Sequence, residues 1–138
     1  MRTFVPATID DLRRLQSDGR LVAPVEAFAA TSALRVELSG LGEEEAEYAL
    51  TTAAAESSYD TLAGEGDRRG RRVVVVAEVP EGDVASDGGS PGVVRLTADI
   101  PIARVDAILA DPRDVDLTRP PAEDLAWYAT QELAGLLA

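Results

Sequence analysis

Arg71-Arg72-Val73-Val74-Val75-Val76-Ala77-Glu78-Val79 is the stretch on which the arrangement of the whole chain depends. Four consecutive valines leave no polar alternation, which marks a strand buried on both faces. Gly70 and Pro80 bracket it and hold it near the length of an ordinary strand. Such a strand needs a covering layer on each side, and the remaining segments offer helices for that purpose.

Upstream, Arg2-Thr3-Phe4-Val5 reads as a short strand ended by Pro6. Thr8 and Asp11 make a capping box, Ile9, Leu12 and Leu15 mark one helical face, and Gly19 closes the helix. Val25 to Ala29 is a second strand, and Thr31 or Ser32 caps a short helix through Leu38. Glu43 to about Ala63 is the strongest helix. Its first turn holds three glutamates, favoured there by the macrodipole, and its body is rich in helix formers. Ala46, Ala49, Leu50, Ala53 and Ser57 form a stripe of mostly small residues suited to lying close on a sheet.

Downstream, the polar segment from Glu81 to Gly92 reads as a mobile loop. Val93 to Ala98 is the next strand, expected to pair antiparallel with the valine strand because the loop is too short for a crossover helix. Val105 to Ala110 has no decisive period, and its short proline-bounded length favours a strand. After Pro120-Pro121 a final helix is expected from about Ala122 to Leu137. Leu125, Tyr128, Ala129, Leu133 and Leu136 form its apolar face, with Trp127 beside them. Together these elements predict one α+β domain over residues 1–138. Its mixed, mainly antiparallel sheet of about five strands carries the long alanine-rich helix and the C-terminal helix.

Composition narrows the function. With 46% apolar residues the chain is not of a disordered type, and with 4% aromatics its core is built from small side chains. A net charge of −12 repels phosphate backbones and anionic lipid, so neither nucleic acid nor a membrane surface is an expected partner. A basic partner, a cationic ligand or a homodimer is compatible with it. The absence of cysteine and histidine excludes thiol nucleophiles, zinc–thiolate sites and imidazole bases. All 13 basic residues are arginine, which excludes lysine Schiff bases and Walker-type phosphate loops. No cofactor or catalytic residue is indicated, and the balance leans against an enzyme. No stretch is apolar enough to span a bilayer and no signal peptide is evident, so the expected location is the cytoplasm.

Four stretches carry a resemblance: Arg2-Thr3-Phe4-Val5-Pro6-Ala7-Thr8, Glu44 to Leu50, Arg71 to Ala77, and Leu125-Ala126-Trp127-Tyr128-Ala129-Thr130-Gln131-Glu132-Leu133. Through them the chain resembles a family of small uncharacterised actinobacterial proteins of unknown function. The lysine-free, alanine-rich composition fits a GC-rich genome. In element order alone the chain is also similar to ADP-ribosyltransferase-like domains, which implies NAD binding. Those domains place a histidine on the first strand, where this chain has Pro6-Ala7.

Among candidate sites, Glu132 stands out because it falls within the expected apolar arc of the last helix, four residues after Tyr128. A carboxylate there is either at the rim of the arc or buried and paired, with Arg95 or Arg104 as partner. Its functional alternative is a small polar ligand site of Glu132, Tyr128, Gln131 and Arg95, with Tyr48 and Trp127 near it. Glu43, Glu44, Glu45 and Glu47 point in different directions on a helix and cannot converge on a metal ion. Asp111, Asp114 and Asp116 lack the spacing of a calcium loop and read as an acidic surface loop. Arg68, Arg69, Arg71 and Arg72 read as a charged turn that keeps a hydrophobic strand soluble. Two classes stay open: a binding or interaction protein, and a degenerate ADP-ribosyltransferase-like nucleotide binder or enzyme.

Overall fold

The computed structural model describes residues 1–86 and 90–138. In chain order its elements are β1 (Arg2–Ala7), α1 (Ile9–Asp18), β2 (Arg20–Leu21), β3 (Val25–Ala29), α2 (Ser32–Glu37), α3 (Glu43–Gly64), β4 (Arg69–Gly70), β5 (Val73–Glu78), β6 (Val84–Ser86), β7 (Val93–Leu96), β8 (Ile100–Pro101), β9 (Val105–Ala110), β10 (Val115–Asp116), β11 (Ala126–Tyr128) and α4 (Leu133–Leu136). Seven strands form the main sheet in the order β11-β9-β5-β1-β3-β7-β6, rather than about five, and every pairing in it is antiparallel.

The valine strand lies inside this sheet, between β1 and β9. Val73, Val74, Val75 and Val76 are all buried, as an unbroken apolar run requires. Alternation sends Val73 and Val75 into a core with Leu12 and Leu15 of α1 and Leu133 and Leu136 of α4. Val74 and Val76 enter the opposite core with Phe4 and with Leu50, Ala54 and Ala55 of α3. The helices therefore lie on both faces.

The capping box of α1 is present. Thr8 Oγ1 accepts the Asp11 N–H at 3.2 Å, and Asp11 Oδ2 accepts the Thr8 N–H at 3.0 Å. Gly19 ends the helix at φ 74°, a left-handed conformation that glycine adopts without a Cβ clash. Helix α3 buries Leu50, Ala54, Ser58 and Leu62, a row of every fourth residue, so the expected small-residue stripe is displaced round the helix by about one position. Ser58 explains the preference. Its hydroxyl donates to the Ala7 C=O at 2.7 Å and accepts the Val73 N–H at 3.0 Å, joining the helix to the end of the β1–β5 ladder.

Several expectations fail for identifiable reasons. Strand β1 continues through Pro6 to Ala7. The backbone groups of Ala7 turn towards β5, so those of Pro6 turn towards β3, where pairing with β1 has ended at Phe4. The missing N–H of Pro6 thus breaks no ladder bond. Strand β7 does not pair with the valine strand but with β3 and β6. The segment from Glu81 to Gly92, read as a loop, holds a 3-10 turn at Glu81–Asp83 and the edge strand β6, and its residues 87–89 lie outside the described ones. Val105 to Ala110 is a strand as expected, with Asp106 forming a bulge opposite Val76 and Ala77.

The largest departure is at the C-terminus. In place of one helix from Ala122 to Leu137 the chain forms β11, a 3-10 turn at Thr130–Glu132 and the short α4. Leu125 and Tyr128, assigned to one helical face, pack against opposite faces of the sheet. An odd separation along extended backbone requires this.

Candidate functional site

The four residues nominated from the sequence do not come together. Tyr128 is half-buried on β11, against the core that α1 covers. Gln131 and Glu132 are exposed in the 3-10 turn, and Glu132 Oε1 accepts the Ala129 N–H at 3.0 Å. Its carboxylate serves the turn's own backbone and, among the described residues, pairs with no arginine, because the helical arc that would have buried it does not form. Arg95 is exposed on β7 across from Glu26, five strands away from β11. At the usual strand spacing that is about 24 Å.

The polar centre that the sequence reading missed is Arg72 with Asp111. Asp111, read as part of an acidic surface loop, is 1% exposed and Arg72 is 6% exposed. Asp111 Oδ2 accepts the Arg72 N–H at 2.9 Å and Nε–H at 3.0 Å, while Oδ1 accepts from Nη2 at 2.8 Å. Nη2 also donates to the Glu123 C=O at 2.7 Å. Arg71 donates from Nε to the Asp111 C=O at 2.7 Å and from Nη1 to the Leu136 C=O at 3.0 Å. Two arginines of the basic cluster are therefore internal clamps. Their signal was positional: in an antiparallel pair, the residue just after β9 meets the residue just before β5.

Arg72 also lines a cleft of about 480 Å³ between α3 and the 120–125 segment. The α3 wall presents Tyr48, Thr51, Thr52, Ala55, Glu56 and Tyr59, which share one helical face. Pro120 to Leu125 forms the facing wall, so the double proline shapes the cleft as well as stopping regular structure. Tyr48 bridges the walls, its hydroxyl donating to Asp124 Oδ1 at 3.0 Å. That hydrogen bond, and then the negative charge of Asp124, raise the Tyr48 phenol above its ordinary 10.0.

The cleft has an available donor. Among the described residues Arg72 Nη1 donates to no protein group, and no buried side-chain nitrogen lacks a partner. Nη1 is therefore open to solvent, and Arg72 lines this cleft. The bidentate fork to Asp111 fixes the guanidinium plane and neutralises its charge. The remaining charged lining residues are Glu56, Glu123 and Asp124, all acidic.

Other acidic residues are used locally. Glu45 accepts the Gly42 N–H at the start of α3, Glu47 pairs with Arg2 at 2.9 Å, and Asp116 takes the Thr118 hydroxyl at 2.6 Å. Among the described residues no group of three acidic side chains is placed to hold a metal ion.

Fold and cleft define an α+β protein with a seven-stranded antiparallel sheet and an acidic groove along its longest helix. The chain belongs to DUF6912, a family of unknown function whose model matches residues 1–137. No curated protein and no solved structure matches it.

Proposed function

We propose that the protein is a non-catalytic binding protein that takes a cationic ligand in the cleft beside α3. The observation that carries this is the charge of the lining. Glu56, Glu123 and Asp124 stand unopposed, since Asp111 already neutralises Arg72. Tyr48 and Tyr59 add aromatic faces, which attract ammonium and guanidinium groups. The overall charge of −12 steers cations towards the surface and repels nucleic acid. No described helix is long and apolar enough to cross a membrane, and the reading keeps the cytoplasmic setting expected from the sequence.

The test is titration of the full chain with a six-arginine peptide and, as control, a six-glutamate peptide, followed by amide chemical shifts and calorimetry. The arginine peptide is expected to bind, with shifts centred on residues 48–59 and 120–125. The double substitution Glu56→Gln, Asp124→Asn should weaken it about fivefold or more. Absence of binding at millimolar peptide, or shifts confined to other acidic surfaces, overturns the reading.

A further inference from the structure

We propose that the ligand of this cleft is an extended peptide segment with two basic residues four positions apart, one of its backbone carbonyls accepting from Arg72. This rests on the cationic reading above and adds the form of the ligand. Acidic side chains alone would not define a partner. The second observation is the unpartnered Nη1 of Arg72, which belongs to a side chain 7% exposed and held in one orientation by its fork to Asp111. A donor so placed calls for a neutral acceptor, because Arg72 is already charge-matched.

A peptide carbonyl is such an acceptor. In an α-helix most carbonyls are used internally, whereas those of an extended segment are free. The acids set the spacing. Asp124 is bonded to the Tyr48 hydroxyl, and Glu56 stands eight residues further along α3. Eight helical residues advance about 12 Å. An extended chain advances about 3.3 Å per residue, so four residues span about 13 Å. An even separation also places both side chains on one side of the strand. A separation of two spans only about 7 Å, and six about 20 Å. Thr51 and Thr52, on the helix wall between the two ends, supply hydroxyls along the path.

The experiment uses the full chain and end-capped Gly/Ser peptides carrying two arginines at separations of two, four or six. A two-glutamate peptide and a linear diamine with ends about 12 Å apart complete the set, the latter matching the groove span. Dissociation constants are read by calorimetry. The separation of four is expected to bind about fivefold more tightly than the others, and the diamine about fivefold more weakly than that peptide. Asp124→Asn and Glu56→Gln, both surface changes, should each flatten the spacing preference. Equal affinity at all separations, or a best separation other than four, overturns the two-point proposal while leaving the cationic reading intact. A diamine as tight as the best peptide overturns the carbonyl contact. Failure of every arginine peptide to bind overturns the cationic reading itself, and this proposal with it.

Discussion

Arg72 and Asp111 show how much a single pair decides. Leaving one partner of a buried pair alone strands a charge without water, at a cost of about 3–5 kcal/mol. Asp111→Ala is therefore expected to lower unfolding stability by that amount in urea titrations. Glu132→Gln, an exposed change at the turn, should shift it by about 0.5 kcal/mol or less. Comparable losses in the two variants would contradict the burial assigned to Asp111. Tyr48 gives a pH test at the same scale. Asp124→Ala removes the bond and charge that raise its phenol, so the titration should move down towards 10.0 when followed by NMR at the ring carbon. A group raised in the folded state contributes stability below its unfolded value and loses it as pH rises through the folded one. The parent thus loses this contribution only in strong alkali, and the variant has none to lose.

Elements were legible where one local signal dominated. The valine run, the Thr8–Asp11 box and the alanine-rich body of α3 each specify their structure without help from distant residues. Residues 122–137 were not legible, because Leu125, Tyr128, Leu133 and Leu136 satisfy a helical spacing by coincidence. Pairing of Trp127 with Leu109 and Tyr128 with Ile108 overrides it, as strand preference depends on what lies across the ladder. The cleft was illegible for a related reason. Tyr48 and Asp124 stand 76 residues apart, so only the fold brings them to 3.0 Å. Two substitutions test the elements. Val74→Asp and Val75→Asp, on opposite faces of β5, should each abolish cooperative thermal unfolding, since neither face offers the charge a partner. A melting curve like the parent's for either variant would show that face to be open. In α3, Ala54→Leu should cost about 1–3 kcal/mol by overpacking, and Ala53→Leu, half-buried one position round, far less.

For the molecule as a whole, the sheet is guarded at both ends by strands of only three residues, β6 and β11. Short edges offer little template for a further strand. The interior is ordered very differently from the sequence. Strand β1 lies between β3 and β5, and the Thr3 hydroxyl donates to the Ala77 C=O across 74 residues. Its nearer partner, β3, meets it at only two residue pairs, Thr3 with Ala29 and Phe4 with Phe28. Synthesis therefore makes the central strand β1 well before β5, and the edge of β1 that faces β5 stays unclaimed until β5 leaves the ribosome, with β9 to follow on the far side of β5. Distant pairing of this kind slows folding, because loop closure comes before the contacts that reward it. Stalled chains of increasing length should stay protease-sensitive until residues through Ala110 are clear of the exit tunnel, then become resistant in one step. Protection at shorter lengths would mean that β1 and β3 hold together alone. Synthesis order thus leaves β1 waiting, half-paired, for a partner made about 70 residues later.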